Sequence, residues 1–248
     1  MKRLLGAVLM VVAVSQGAAA AETTAFSAAD GGKVFGDVYR PEGPAKATIL
    51  LFHQAGSNRA EYAPIAPKLT ALGYNVLAID QRAGGNLWGK TNETAAAHSG
   101  TASYADALWD LEGALTYATQ TWPGKPAIVW GSSYSASLVF FLAAQHPSEI
   151  IGVLSFSPGE YFRGQSVRKQ AAGVHCPVFV TSAPSAEEVA AARDLYDAVP
   201  AAGKVDFVPA HGVHGSATLR TDANPAGAAE IWSAVDRFLS ALPDRPPA

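Results

Sequence analysis

The chain has 248 residues, a formal net charge of −3, and only 16% charged residues. Such a weakly charged, slightly acidic composition gives no reason to expect nucleic acid or an anionic membrane as a partner. The length suits one α/β domain with a sizeable core. The single cysteine, Cys176, excludes an internal disulfide and is expected to be a buried, inert thiol.

The N-terminus has the pattern of an export signal. Lys2 and Arg3 precede an apolar segment at 4–14, and the alanines at 18–21 supply the small residues that signal peptidases require. The apolar segment has about 11 residues, whereas a bilayer span needs roughly 20. We therefore expect residues 1–21 to be a signal peptide cleaved near Ala20 and Ala21. Residues 22–248 would then form one exported domain, periplasmic or secreted, with no membrane attachment.

Short apolar runs alternate along the chain with segments of helical periodicity. The runs are nearly continuous in hydrophobicity, which is typical of parallel strands buried on both faces. We predict strands at 48–53, 74–79, 127–130, 150–156, 177–181 and 205–208, with an edge pair around 34–39. The helical segments are 60–72, 104–121, 135–145, 185–199 and 225–242. This alternation predicts a doubly wound α/β domain with helices on both faces of a mostly parallel sheet.

Two longer stretches, 82–101 and 157–174, each follow a predicted strand and have no clear periodicity. Loops at the carboxyl ends of strands commonly build the binding crevice of an open α/β sheet. We therefore expect these two loops to line the substrate site. They are too short to form a large lid domain.

The segment Gly131-Ser132-Ser133-Tyr134-Ser135 lies between a predicted strand and a predicted helix. This order is typical of the G-x-S-x-G elbow, a strained turn that exposes a nucleophilic serine at the top of a sheet. Here Ser135 replaces the second glycine. The order of strand, tight turn and helix around this segment predicts Ser133 as a nucleophile.

A serine hydroxyl needs a base within hydrogen-bond reach, and the base needs an orienting partner. In this topology the acid precedes the histidine late in the chain. His214, in a glycine-containing loop after the last strand, is the predicted base, and His211 is its rival. Glu187 is the preferred acid and Glu188 the alternative. The two histidines form an H-x-x-H pair, but nothing nearby completes a tetrahedral set, so we predict no metal and no cofactor.

Acyl transfer also needs preformed N–H donors for the oxyanion. We predict the N–H groups of Tyr134 and Ala55 in this role, with Gln54 as the second choice for the early loop. His53 is expected to order that loop, and Asp80 to stabilise a turn. The predicted substrate contacts are Gln54, Trp88, Tyr161 and Phe162, although the three aromatic residues could equally pack beneath their loops.

With these motifs in place, residues from about 47 to 242 resemble the α/β-hydrolase superfamily, and within it the dienelactone-hydrolase-like and small-esterase branch. The resemblance depends on His53-Gln54-Ala55-Gly56, Asp80-Gln81-Arg82-Ala83-Gly84, the segment at 131–135, and His214-Gly215. It implies that Ser133 is the nucleophile, that His214 is the base, and that Glu187 replaces the usual aspartate. Dienelactone hydrolases proper use cysteine where this chain has serine.

The resemblance implies hydrolysis of small or medium carboxylic esters without a cofactor. Two alternatives stay open from the sequence. The same three residues could serve a peptidase, an amidase or an acyltransferase. A protein of this fold could also bind a ligand without catalysis, because a shared fold does not establish activity.

Overall fold

The computed structural model describes residues 21–246, which form an eight-stranded sheet flanked by helices. The predicted signal peptide lies, apart from Ala21, outside the described residues. The sheet order is β1-β2-β4-β3-β5-β6-β7-β8. β1 pairs with β2, and β2 with β4, in antiparallel fashion, and the other neighbours are parallel. The strands are β1 Glu22–Ser27, β2 Lys33–Tyr39, β3 Thr48–Phe52, β4 Asn75–Ile79, β5 Ala127–Ser132, β6 Ile150–Phe156, β7 Val178–Thr181 and β8 Val205–Phe207.

Helices cover both faces of the sheet, as the alternating pattern predicted. They are α1 Ala66–Ala71, α2 Glu93–Ala97, α3 Leu108–Thr121, α4 Tyr134–Gln145, α5 Val167–Ala171, α6 Ala186–Ala198 and α7 Ala228–Ser240. One hydrophobic cluster joins the sheet to α3, α4, α5 and α6, and the other joins its opposite face to α1 and α7. This arrangement confirms the doubly wound α/β fold. Within residues 21–246, no helix is long and apolar enough to cross a bilayer.

The predicted helix at 60–72 is wrong as a continuous element. The structure has a 3-10 turn at Arg59–Tyr62 and then α1 at Ala66–Ala71. Pro64 lies between the two, and Pro67 lies in the first turn of α1. A proline has no N–H to donate and restricts the residue before it, so the first turn cannot continue into the second.

The two stretches predicted to be irregular each contain a short helix. The side chain of Asn92 accepts a hydrogen bond from the Ala95 N–H at the start of α2. Ser166 does the same for the Lys169 N–H at the start of α5. Asparagine and serine are preferred N-cap residues because their side chains satisfy N–H groups that have no intrahelical partner. These caps were the sequence signal for both helices.

Candidate active site

Ser133 lies between β5 and α4 with φ 58° and ψ −122°, a backbone conformation that non-glycine residues rarely adopt. Its N–H donates to the Phe156 carbonyl at 2.8 Å, which ties the turn to β6. The turn also depends on Gly131, because a Cβ there would lie 2.2 Å from the Ser135 carbonyl oxygen. The chain therefore forms the strained elbow that the motif predicted, with Ser133 at its apex.

Ser135 occupies the position where the motif has its second glycine, and its hydroxyl both donates and accepts a hydrogen bond. The Ser135 hydroxyl donates to the His53 carbonyl at 2.6 Å and accepts from the Gln81 side-chain amide at 2.8 Å. The substitution thus joins the first turn of α4 to the loops that follow β3 and β4. It adds contacts to the elbow and leaves its geometry intact.

Three side chains that are remote in sequence meet at the elbow. The Ser133 Oγ lies 2.8 Å from His214 Nε2, and His214 Nδ1 lies 3.0 Å from Glu188 Oε1. An N–H on Nδ1 that donates to the carboxylate leaves Nε2 free to accept the serine proton. Ser133 is 7% exposed, whereas the His214 side chain is 41% exposed, so the site opens to solvent on the histidine side.

The preference for Glu187 is corrected, because Glu188 makes the contact with His214. Ser185 caps α6, and its hydroxyl accepts from the Glu188 N–H at 3.3 Å. The Glu188 carboxylate in turn accepts from the Ala183 N–H at 3.2 Å. The side chain of Glu188, the third residue of α6, therefore turns back over the preceding loop toward His214, whereas Glu187 is exposed. A Ser-x-x-Glu capping pattern is the signal that would have singled out Glu188.

The environment of Glu188 favours its ionised form. Burial disfavours the charge, but polar interactions with the Ser157 side chain and with His214 outweigh it, and the pKa of Glu188 falls below its usual value. An ionised carboxylate can stabilise the imidazolium that His214 would become when it takes up a proton.

The loop after β3 lies against the elbow, because the Ser135 hydroxyl donates to the His53 carbonyl. The Gln54 N–H donates to the buried Glu61 carboxylate at 3.0 Å, so Gln54 is not available as an oxyanion donor. Within residues 21–246, the N–H of Ala55 donates to no other protein group. Tyr134 is the first residue of α4, where an N–H has no intrahelical partner. Within residues 21–246, the N–H groups of Ala55 and Tyr134 are therefore free to act as donors, one in the loop after β3 and one at the start of α4.

His53 orders this loop, as the sequence predicted. Its Nδ1 lies 2.8 Å from the Gln54 carbonyl, and its Nε2 accepts from the Gln81 N–H at 2.9 Å. Burial lowers the pKa of His53 to about 4, so the ring is neutral near pH 7. A neutral ring can donate from one nitrogen and accept at the other, which is the pattern that these contacts require.

A groove of about 630 Å³ lies between the segment that precedes α3 and the loop after β6, and Ser133 and His214 are not among its lining residues. Among the predicted substrate contacts, Tyr161 and Phe162 line it. Tyr104 and Asp106 line the opposite wall, and Tyr104 stacks on Tyr134 with ring centroids 4.5 Å apart. Sequence reasoning missed these two, because they lie where a continuous helix was predicted.

The other two predicted contacts lie elsewhere. Trp88 stacks on the Arg220 guanidinium, 3.9 Å from the ring centroid, and does not line this groove. The Gln54 side-chain oxygen lies against the loop that carries His214, next to Gly215. Trp88 thus has a packing role, whereas Gln54 stays close to the elbow.

His211, the rival base, is exposed, and its backbone carbonyl accepts from the Asn224 side chain at 3.2 Å. It makes no contact with Ser133 within the described part of the chain. In that same part, no three His, Cys, Asp or Glu side chains cluster as a bound metal ion would require.

A doubly wound sheet with a strained serine elbow after β5, and a histidine and a carboxylate on later loops, defines an α/β hydrolase. Residues 43–191, more than half of the chain, match the hydrolase family described as serine aminopeptidase, S33, and the chain belongs to that family. The match includes Ser133 and Glu188 and ends before His214.

Two curated relatives are similar over about half of the chain. The human monoglyceride lipase is 27% identical over 130 residues, which cover 52% of this chain and 41% of the lipase. The monoacylglycerol lipase of Mycolicibacterium smegmatis is 25% identical over 133 residues, 54% of this chain and 45% of the relative. The aligned region thus spans less than half the length of each relative.

Solved structures are similar over nearly all of the chain. A dienelactone hydrolase from Anabaena variabilis superposes with a TM-score of 0.71 at 16% identity, covering 91% of this chain and 99% of the other. The Pyrococcus furiosus esterase Pf2001 gives 0.69 at 20% identity, with 90% and 93% coverage. At these identities the likeness shows the shared α/β-hydrolase fold.

Proposed function

We propose that this chain is a serine hydrolase that cleaves small carboxylic esters, with Ser133, His214 and Glu188 as its triad. The observation that carries the proposal is the pair of contacts at the elbow, 2.8 Å from Ser133 to His214 and 3.0 Å from His214 to Glu188. Nucleophile, base and orienting acid are thereby all within hydrogen-bond reach.

In the proposed reaction, Ser133 Oγ attacks the ester carbonyl carbon while His214 Nε2 takes the hydroxyl proton. The resulting imidazolium donates through Nδ1 to Glu188, and the N–H groups of Ala55 and Tyr134 hold the oxyanion. The tetrahedral intermediate collapses when His214 returns the proton to the departing alkoxide. A water molecule activated by His214 then hydrolyses the acyl-enzyme, releases the acid and restores Ser133.

The groove between the segment before α3 and the loop after β6 supports a small-molecule ester as the substrate. Tyr104, Tyr161 and Phe162 offer aromatic surface, while Asp106 and Arg163 place opposite charges along the same groove. A long apolar acyl chain would desolvate these charged groups, which is costly. The similarity to proteins named as esterases and monoacylglycerol lipases also favours esters.

The description of the family as a serine aminopeptidase makes amide hydrolysis the second candidate. Turnover of p-nitrophenyl acetate and of alanine p-nitroanilide by the same preparation separates the two functions. We expect kcat/KM for the ester to exceed that for the anilide by several orders of magnitude. An anilide rate equal to or above the ester rate would replace the esterase proposal with a peptidase one.

We also propose that the chain is exported, because a basic start, a short apolar segment and small residues near Ala20 and Ala21 match a signal peptide. The full chain expressed in a bacterium should appear outside the cytoplasm with a new N-terminus at residue 21 or 22. A matched variant with Lys2, Arg3 and the apolar segment deleted should stay in the cytoplasm. Recovery of the uncleaved chain in the cytoplasm would contradict export.

A further inference from the structure

Glu61 is a fully buried carboxylate that the proposed reaction does not use. It lies in the 3-10 turn Arg59–Tyr62, directly after the loop that carries the proposed oxyanion donor Ala55. Within the part of the chain that the structure describes, no lysine, arginine or histidine side chain forms a salt bridge with it. Burying a carboxyl group costs free energy unless hydrogen bonds satisfy it, so its contacts show which groups it holds in place.

The two oxygens of Glu61 contact two different segments. Oε2 accepts from the Gln54 N–H at 3.0 Å, in the loop after β3. Oε1 accepts at 2.6 Å from the hydroxyl of Ser132, the last residue of β5. One carboxylate therefore joins the residue before Ala55 to the residue before the nucleophile Ser133.

The Ser132 hydroxyl extends this network to the loop of the proposed base. Its oxygen accepts from the Ser216 N–H at 2.8 Å, while its proton is donated to Glu61. The approach is close, because a Cβ on Gly215, the residue after His214, would lie 2.4 Å from the Ser132 Oγ. The carboxylate is thus connected to the segments that carry the oxyanion donor, the nucleophile and the base.

The turn that carries Glu61 is itself held on two sides. Asn58 caps it, and its side chain accepts from the Ala60 N–H at 2.9 Å. The Arg220 guanidinium donates to the carbonyls of Ala60 and Glu61 at 3.2 and 3.0 Å. These contacts involve only the backbone of the turn, so they fix the place of the Glu61 carboxylate independently of the groups that it binds.

We propose that Glu61 is a positioning residue for ester hydrolysis, whose carboxylate fixes the Gln54 peptide relative to Ser132 and thereby the Ala55 N–H relative to the nucleophile. Oxyanion donors stabilise the transition state because they are already in place before the reaction. The inference rests on the proposed function, and it adds a residue that acts through its neighbours without touching the reacting atoms.

Two variants of Glu61 separate its acceptor oxygens from its bulk. Glu61→Leu removes both oxygens and keeps a similar volume, and we expect kcat for p-nitrophenyl acetate to fall roughly 100-fold, the cost of misplaced reacting groups. Glu61→Gln keeps one oxygen that can accept from Gln54, and its kcat should fall less than about 10-fold. KM should be unchanged in both. Equal losses in the two variants, or a wild-type kcat in Glu61→Leu, would overturn the inference.

A phenyl trifluoromethyl ketone gives a readout of the oxyanion site itself. Ser133 adds to its carbonyl carbon, and the hemiketal oxyanion that forms resembles the one in the reaction. The inhibition constant should rise in Glu61→Leu by the same factor by which kcat/KM falls. A lowered kcat with an unchanged inhibition constant would mean that the oxyanion site is intact, and it would overturn the inference.

Ser132→Ala decides the question if Glu61→Leu fails to fold. It removes the link from Glu61 to Ser216 and keeps the contact with Gln54, and kcat should fall about 10-fold with KM unchanged. Ser182→Ala is the matched control, because Ser182 follows β7, is 3% exposed, and has a hydroxyl without a hydrogen-bond partner among residues 21–246. The control should keep the wild-type kcat. Equal kcat values in the two serine variants would overturn the inference.

The failure of this inference is distinguishable from the failure of the proposed function. If Ser133→Ala abolishes turnover while Glu61→Leu and Ser132→Ala keep the wild-type kcat, only the positioning role is overturned. If Ser133→Ala keeps its activity, the proposed function itself is overturned.

Discussion

Replacement of Ser133 by alanine is expected to lower kcat for p-nitrophenyl acetate by on the order of 10⁶-fold. The 2.8 Å contact with His214 Nε2 makes Ser133 Oγ the atom that attacks the carbonyl, and no covalent intermediate forms without it. A residual rate on the order of 10³- to 10⁴-fold above water should remain, from the oxyanion donors and from substrate binding. KM should change little, because the groove is untouched.

The control must show that Ser133→Ala loses activity without losing its fold. Alanine keeps a Cβ at φ 58°, so the elbow strain and the N–H contact to Phe156 are retained. Circular dichroism and the melting temperature of Ser133→Ala should therefore match those of the wild type. A folded variant that keeps a tenth or more of the wild-type kcat would exclude Ser133 as the nucleophile.

The second large effect is expected at Glu188. Glu188→Gln should lower kcat by on the order of 10⁴-fold, because an amide can donate to His214 Nδ1 and thereby favour the unproductive tautomer. Glu187→Gln is a matched control, since both residues lie in the first turn of α6 and both complement the helix dipole. We expect Glu187→Gln to keep kcat within a factor of two or so, consistent with its exposed position.

The pair of variants also decides between the two carboxylates. A larger loss in Glu187→Gln than in Glu188→Gln would mean that the 3.0 Å contact between His214 and Glu188 is not the productive one. Equal, small losses in both variants would mean that the reaction needs no acid from α6.

The sequence predicted most of the fold because buried parallel strands leave a strong pattern. The strand at 150–156 was predicted with the bounds that the structure has, since apolar residues fill it on both faces. The helix predicted at 60–72 is divided in the structure because Pro64 and Pro67 lack the N–H groups that a continuous helix would need there.

The sequence also predicted that Ser133 and His214 would meet, because strand order fixes which loops reach the elbow. The preference for Glu187 was wrong because adjacent helical side chains differ in direction by about 100°, and the contacts of Glu188 with the Ser185 cap turn that residue toward His214. The Ser-x-x-Glu capping pattern at 185–188 was the sequence signal for this direction. The groove was half predicted. Trp88 packs on Arg220, whereas Tyr104 stacks on Tyr134 and lines the groove, and such tertiary contacts leave no pattern in the sequence.

The central claim is that the hydroxyl at position 133 is activated by the histidine at position 214. Reaction of the protein with a fluorophosphonate probe, followed by mass mapping of the modified peptide, tests it directly. We expect one phosphonyl group on Ser133 in the wild type and a labelling rate lowered by orders of magnitude in His214→Ala. An unlabelled wild type, a label on another residue, or equal labelling rates in the two proteins would contradict the claim.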